Sequence, residues 1–363
     1  MSEAVAFQID AAHSGIANAA TPKFPLLSGW QRTFASAVSY PLIAGGRVFV
    51  IVAPSSNGSA QLAAIDQTTG LDAWPAISIG SAFSAAHAYD QGRIFVIGSD
   101  SILRSFDAAT GAARWSTLLS FPQGSPVARD GKVYVSSGNA VHAVDGQSGA
   151  ILWTATTTGQ TPPSLSANGI LLSTACQAFS LLQSTGAERW RVSQPAPCNG
   201  GIPGSVAYSS GRAYVRDFDF TAFRPTLVAR DAETGALAGS ANVFGFTNVP
   251  IPAVGADAVY VLNGGTLQRF DPSLQTVSWS FAGDGTLASA PLVIGGVVLV
   301  GGYNGKLYVL DSTTGAERWS TLVPAGIDAP NESFAVLTGM AAANGILVVP
   351  AGRTLSTWRL NPP

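Results

Sequence analysis

A short pattern repeats along nearly the whole chain and restricts the folds that it can adopt. It consists of an apolar run ending in Asp, two variable residues, Thr or Ser, Gly, three further residues and Trp. Complete copies contain Asp66, Gly70 and Trp74; Asp107, Gly111 and Trp115; Asp145, Gly149 and Trp153; and Asp311, Gly315 and Trp319. Partial copies keep Gly186 and Trp190, Asp231 and Gly235, or Asp271 and Trp279. Self-similarity at a regular spacing predicts a repeat architecture.

Each copy is predicted to be a β-hairpin. The Asp side chain can accept backbone N–H bonds just beyond the strand, and the Gly supplies the positive φ that a short hairpin loop needs. The Trp then lies on the returning strand, where its flat ring can fill the space between neighbouring sheets. A second hairpin precedes each copy, as at Gly92-Arg-Ile-Phe-Val. The unit therefore has four strands, which we name A, B, C and D in chain order.

The two chain ends determine the predicted number of units. The Trp position recurs about every 40 residues, which is the spacing of propeller blades. After Trp319 the chain supplies strands A, B and C and then ends, whereas Trp30 lies on an isolated strand D near the start. Pairing these segments would close an eighth blade and remove the exposed sheet edges. We predict an all-β, eight-bladed β-propeller over residues 26–363, preceded by a lead-in segment at 1–25; seven blades is the alternative.

These residues resemble the quinoprotein-type repeat, also called the pyrroloquinoline-quinone-like (PQQ-like) β-propeller repeat. The match is best at Asp107–Trp115 and Asp311–Trp319, and Asp10-Ala-Ala-His-Ser-Gly is similar to the lead-in of many such propellers. The family includes calcium- and quinone-dependent alcohol dehydrogenases, and also non-catalytic propellers such as a lipoprotein that helps to assemble outer-membrane proteins. The resemblance implies the fold, but it does not choose between these activities.

Two features favour the non-catalytic class. The dehydrogenases are much longer, and they carry adjacent cysteines over the cofactor, whereas Cys176 and Cys198 are separated here. We therefore expect no cofactor, neither pyrroloquinoline quinone with calcium nor another metal. The Asp, Gly and Trp residues of the repeat are interpreted as packing residues.

Composition excludes other classes. The formal net charge is −2 and 11% of residues are charged, so we expect no nucleic-acid partner, because phosphate binding needs excess Lys and Arg. We find no apolar run long enough for a transmembrane segment and no signal peptide at the start. The scarcity of Lys favours an exported protein, secreted or periplasmic, and we expect a monomer.

Deviations from the repeat mark candidate sites on one face of the disk. D-to-A connections and B–C hairpins share this face, which we call the loop face; A–B and C–D turns form the opposite turn face. Cys176 and Cys198 both fall on the loop face, in a geometry that permits a disulfide, with two unpaired thiols as the alternative. The extended B–C segment of blade 5 adds the candidate binding residues Asp217, Phe218, Asp219, Phe220, Phe223 and Arg224. Aromatic residues and Arg are typical of binding hot spots, although the Phe side chains can instead pack on the disk.

Three further residues are candidates for ligand contact. Asp328 and Glu332 lie in the connection before blade 8 and can form a pair of carboxylates for acid–base chemistry. His87 replaces an apolar residue of strand A at the mouth of the central channel. We expect a non-catalytic extracytoplasmic propeller that binds a protein or glycan through its loop face. The alternative is an enzyme with a site at the channel mouth, either a hydrolase or lyase or a quinone-dependent dehydrogenase.

Overall fold

Eight antiparallel sheets form the molecule. The computed structural model describes residues 3–54, 58–80, 85–120, 124–159, 161–194, 204–219, 224–244, 250–330 and 338–360, with the side chains of 218 and 219 outside this description. Two strands precede the repeats, β1 (Ile16–Ala17) and β2 (Leu27–Thr33). Seven sheets are built from four consecutive strands each, and β1 adds to the seventh.

The first four blades contain the following strands. They are β3 (Leu42–Ala44), β4 (Arg47–Val52), β5 (Gln61–Asp66) and β6 (Asp72–Ser78) in blade 1; β7 (Ala85–Asp90), β8 (Arg93–Gly98), β9 (Ile102–Asp107) and β10 (Ala113–Leu118) in blade 2; β11 (Val127–Arg129), β12 (Lys132–Ser136), β13 (Val141–Asp145) and β14 (Ile151–Ala155) in blade 3; and β15 (Ser164–Leu165), β16 (Gly169–Ser173), β17 (Gln177–Leu182) and β18 (Glu188–Ser193) in blade 4.

The remaining blades follow the same order. They are β19 (Ala207–Ser209), β20 (Arg212–Asp219), β21 (Arg224–Asp231) and β22 (Leu237–Asn242) in blade 5; β23 (Ala253–Val254), β24 (Val259–Asn263), β25 (Thr266–Phe270) and β26 (Val277–Phe281) in blade 6; β27 (Leu292–Ile294), β28 (Val297–Gly301), β29 (Lys306–Asp311) and β30 (Glu317–Leu322) in blade 7; and β31 (Ala341–Ala343), β32 (Ile346–Ala351) and β33 (Thr354–Arg359) in blade 8.

The chain ends close blade 8, as the sequence predicts. Strand β2 pairs antiparallel with β33, from Leu27 opposite Arg359 to Thr33 opposite Thr354. The Thr357 hydroxyl also donates to the Trp30 carbonyl at 2.7 Å. This pairing confirms the eight-bladed propeller and the predicted closure, because it completes the eighth four-stranded sheet.

Burial follows the position of a strand within its blade. The second strands are almost wholly apolar and buried, as in β4 and β28, because both faces of each sheet pack against neighbouring blades. The outer strands alternate between exposed and partly buried residues, as in β10 and β22. The core therefore lies between the blades and around the ring axis.

The repeat residues connect each blade to the next. Asp66 Oδ1 accepts the N–H groups of Thr68 and Thr69 and the Thr69 hydroxyl, at 2.8–3.0 Å. Six indole N–H groups then donate to a backbone carbonyl in the C–D turn of the next blade, at 2.8–3.3 Å. These donors are Trp30, Trp74, Trp115, Trp153, Trp190 and Trp279.

The Gly of each turn is required by the Trp of the preceding blade. A Cβ atom would lie 2.6–2.9 Å from the indole ring atoms of that Trp, closer than real Cβ contacts allow. The pairs are Gly70 with Trp30, Gly111 with Trp74, Gly149 with Trp115, Gly186 with Trp153, Gly235 with Trp190 and Gly315 with Trp279. The repeat therefore encodes a contact between blades as well as a turn.

The junction between blades 5 and 6 departs from this arrangement in both blades. Blade 5 has Gly239 where the others have Trp, and a Cβ atom there would collide with the Ser273 carbonyl of blade 6. Blade 6 has Leu274 in place of Thr, and this residue is buried with a φ of 61°. The altered turn of blade 6 thus occupies the space that an indole fills elsewhere, so the two deviations compensate for each other.

The lead-in segment enters the ring. Residues 4–17, which we call the strap, pass across the turn-face end of the central channel and bond to strand A of several blades. His13 is fully buried; its Nδ1 lies 2.7 Å from the Phe7 carbonyl and its Nε2 lies 2.9 Å from the Pro163 carbonyl of blade 4. The strap ends in β1, which pairs parallel with β27.

Candidate functional site

The extended hairpin of blade 5 projects on the loop face. Strands β20 and β21 pair over eight residues each, from Arg212 opposite Asp231 to Asp219 opposite Arg224. Arg224 is exposed at the end of this hairpin. Phe220, Phe223 and Glu332 lie outside the described residues, as do the side chains of Phe218 and Asp219.

A small pocket lies beside this hairpin, at the seam between blades 4 and 5. Its volume is about 130 Å³, and Gln177, Gln194, Arg216, Asp217 and Arg230 contribute to its lining. Asp217 accepts from the Arg230 guanidinium at 3.4 Å. The pocket is smaller than typical small-molecule sites.

Arg191 of blade 4 lies on the opposite side of that blade, towards blade 3, where it donates to Thr157 Oγ1 at 2.9 Å. The Arg191 guanidinium lies over the Phe179 ring at 4.3 Å and donates to Gln177 Oε1 at 2.6 Å. Stacking on the ring and bonding to an amide hold the side chain in one orientation. Arg191 also donates to Glu188 Oε2 at 2.6 Å, so its charge is paired, and it does not line the pocket between blades 4 and 5.

Cys176 lies on the same face, in the B–C hairpin of blade 4 between β16 and β17. In the part of the chain that the structure describes, no cysteine is free. Cys198, the other cysteine of the chain, lies outside the described residues.

Phe244 is an exposed aromatic residue that sequence reasoning missed. It follows β22 in the connection from blade 5 to blade 6, and its side chain is 71% exposed. Its N–H donates to Asn263 Oδ1 at 2.6 Å, which fixes the backbone beneath the ring. The available signal was a Phe directly after a strand D, beside the extended hairpin of blade 5.

His87 lies inside the channel wall instead of at an open mouth. Its side chain is fully buried, it stacks on Tyr40 with ring centroids 4.7 Å apart, and Nε2 donates to the Phe49 carbonyl at 3.2 Å. Phe7 of the strap packs edge-on against Tyr40 at 5.5 Å. Burial lowers the pKa of His87 to about 4, so the imidazole is neutral at pH 7.

Among the predicted residues whose side chains the structure describes, Asp217, Asp328 and His87 do not meet in one pocket. Asp217 lines the pocket between blades 4 and 5, whereas His87 and Asp328 do not. Asp328 is exposed in the connection from blade 7 to blade 8. In the described part of the chain, no group of three or more His, Cys, Asp or Glu residues is arranged to hold a metal ion. None of the described residues form a helix long and apolar enough to cross a membrane.

Comparison with known protein families identifies the family that the repeat resembles. A family model described as outer membrane protein assembly factor BamB matches residues 58–184 and 177–349. The chain belongs to this family of PQQ-like propellers. No curated protein matches the chain.

Solved structures with the same fold include both functional classes. BamB from Moraxella catarrhalis has a TM-score of 0.70 at 18% identity, covering 92% of this chain and 99% of that chain. A europium-containing methanol dehydrogenase has a TM-score of 0.74 at 14% identity, covering 99% and 98%. A quinohemoprotein alcohol dehydrogenase from Comamonas testosteroni has a TM-score of 0.70 at 15% identity, covering 99% and 80%.

These structural similarities establish the fold alone, because the identities are low. The alignment also spans nearly the whole methanol dehydrogenase chain. Chain length therefore does not separate this protein from that enzyme, and the functional conclusion depends on the site.

Proposed function

We propose that this chain is a non-catalytic, extracytoplasmic propeller that binds a protein partner through the loop face around blades 4, 5 and 6. The observation that carries the proposal is Phe244, a large apolar side chain left 71% exposed beside the extended hairpin of blade 5. Exposed aromatic residues are typical of interface hot spots. Membership of the BamB family supports a periplasmic protein partner.

The proposal includes a disulfide bond that stabilises this face. We infer that Cys176 pairs with Cys198, the other cysteine of the chain, and so ties the B–C hairpin of blade 4 to the following D-to-A connection. In the chain-entropy model such a loop contributes about 3 kcal/mol of stability. A count of free thiols under denaturing, non-reducing conditions tests the bridge, and two reactive thiols would contradict it.

Site-specific photo-crosslinking tests the partner surface. A photo-reactive residue in place of Phe244 is expected to give a discrete adduct with one protein in cells. The matched control is Leu71, which is 69% exposed but lies in a C–D turn on the turn face. A discrete adduct at 244 and none at 71 supports the proposal.

Substitution then tests whether the contact contributes affinity. With the adduct-forming partner purified, Phe244→Ala is expected to weaken binding about ten-fold or more, as for a hot-spot aromatic residue. Leu71→Ala is expected to leave the affinity unchanged. Equal adducts at both positions, or unchanged affinity in Phe244→Ala, would refute this surface.

A further inference from the structure

Strand A presents one backbone N–H towards the ring axis at an equivalent position in every blade. This residue lies opposite a residue of strand B, one position before the A–B turn, in a pair that exchanges no hydrogen bonds. Its N–H therefore points away from strand B. In six blades this N–H donates to a strap carbonyl at 2.7–2.9 Å. The donors and acceptors are Ile43 with Ala4, Tyr89 with Val5, Leu165 with Ala11, Tyr208 with Ala12, Val254 with Ser14, and Val293 with Gly15.

Blade 3 is bypassed. The strap bonds to blade 2 through Val5 and to blade 4 through Ala11, and between them it makes a tight turn closed by Ala6 and Ile9. The equivalent residue of blade 3 is Ala128, which is opposite Val133 and 3% exposed. Among the described residues no acceptor is bonded to its N–H. Buried backbone donors are nearly always paired with protein or with water, so this donor is available to a water molecule or to a ligand in the adjoining space.

A pocket of about 350 Å³ lies where the strap leaves blade 3 uncovered. We call it the inner-edge pocket; it is lined by Glu3, Val5, Asp10, Ala11, Ala12, Tyr89, Asp90, Gln91, Ala128 and Arg129. Its volume is within the range of small-ligand sites. Ala342, the corresponding residue of blade 8, also lacks a bonded acceptor among the described residues, but it does not line this pocket.

The charges around the inner-edge pocket are mainly negative. Arg129 is directed towards blade 4, where it donates to the Ser166 carbonyl at 2.6 Å and to Gln183 Oε1 at 3.1 Å. Burial raises the pKa of the Tyr89 hydroxyl, and the charges of Glu3 and Asp90 raise it further.

Two carboxylates are left to face an incoming ligand. Asp10 accepts the N–H groups of Ala12 and Ser14 and the Ser14 hydroxyl, so it is engaged in the turn of the strap. Glu3 accepts from the Gly45 N–H at 3.0 Å and Asp90 from the Gly131 N–H at 2.7 Å, and each still has capacity for a cation because a carboxylate accepts several bonds.

We propose that the inner-edge pocket binds a peptide segment that carries Lys or Arg. A ligand carbonyl accepts from the Ala128 N–H, as strap carbonyls do in six other blades, and the cationic side chain lies between Glu3 and Asp90. This mode combines addition of backbone to a free strand edge with charge complementarity. The pocket opens on the turn face, so the proposal is independent of the partner surface on the loop face.

The test uses the full chain and two blocked peptides. Acetyl-Gly-Lys-Gly-amide is titrated against ¹⁵N-labelled protein while the Ala128 amide resonance is followed, and acetyl-Gly-norleucine-Gly-amide is the uncharged control. We expect a saturable shift of the Ala128 amide and an affinity about ten-fold weaker for the norleucine peptide, as for loss of a charge-assisted contact.

Substitutions test whether Glu3 and Asp90 bind the cationic side chain of the peptide. Glu3→Gln and Asp90→Asn are each expected to weaken binding of the Lys peptide about five-fold or more. Asp257→Asn is the control, because Asp257 is a turn-face carboxylate of blade 6 that is 89% exposed. If Asp90→Asn lowers the melting temperature, Glu3→Gln alone carries the test. No shift of Ala128 up to about 10 mM peptide, equal binding of both peptides, or full affinity in Glu3→Gln would overturn the proposal.

Discussion

At the scale of the residue, His87 makes the stability of the fold depend on pH. Burial lowers its pKa from 6.5 to about 4 in the folded state, so between these values the unfolded chain binds a proton that the folded chain does not. Stability is therefore full above about pH 6.5 and falls as the pH drops towards 4. A shift of this size corresponds to about 3 kcal/mol.

Replacing the imidazole tests this contribution. The free energy of unfolding, measured by urea denaturation at pH 7.5 and 4.5, is expected to fall by about 2.5 kcal/mol more in the wild type than in His87→Gln, because pH 4.5 is still above the folded-state pKa. The repeat Asp residues titrate in both proteins and cancel in the difference. An equal loss in the two proteins would show that the buried imidazole does not contribute to acid destabilisation.

The contact between Gly149 and Trp115 also belongs to the residue scale. Gly149→Ala combines the strain of a positive φ (79°) with a Cβ atom 2.6 Å from the indole ring. Gly92→Ala is the matched control, since its φ is 77° and nothing lies within 4 Å of the added atom. We expect thermal denaturation to show about 1 kcal/mol of destabilisation for the control and about 1–3 kcal/mol more for Gly149→Ala. Equal losses would mean that the indole moves aside without cost.

At the scale of the element, the altered turn of blade 6 packs against Gly239 of blade 5 and is expected to leave no room for a side chain there. Gly239→Ala places a methyl group against the Ser273 carbonyl, and a backbone carbonyl cannot rotate away as a long side chain can. We expect a loss of about 1–3 kcal/mol in the free energy of unfolding. Gly255→Ala in blade 6 is the control, because its nearest contact is an ordinary 3.5 Å. A neutral Gly239→Ala would contradict the proposed compensation between blades 5 and 6.

Elements whose geometry is set locally were predictable from the sequence. The C–D turns follow from Asp and Gly at fixed offsets. The closure of blade 8 follows from an isolated strand D near the start and from three strands without a strand D at the end. The path of the strap was not predictable, because its bonds are made by backbone groups and join Gly15 to Val293 without any side-chain pattern. The strand position of His87 was predictable, but its burial depends on Tyr40 and on the strap residue Phe7.

At the scale of the whole molecule, the strap joins blades that are not neighbours in the ring. Its carbonyls bond to strand A of six blades, so displacement of one part should disturb bonds on the far side. Gly15 is the sensitive position, since its φ is 67° and a Cβ atom would lie 2.9 Å from the Cβ of Ala253. We expect Gly15→Val to undock the strap as one cooperative unit.

Hydrogen exchange distinguishes cooperative from local undocking. In Gly15→Val the amides of Ile43 and Tyr89, bonded to the start of the strap, should exchange faster by the same factor as those of Val254 and Val293, which are bonded beside the substitution. Amides within strands B and C should be unaffected, because their partners belong to the same blade. Gly46→Val is the control, with a φ of 74° and no atom within 4 Å. Faster exchange confined to Val254 and Val293 would show that the strap detaches piecewise, and the eight blades would then be held together by their own contacts and by closure of blade 8 alone.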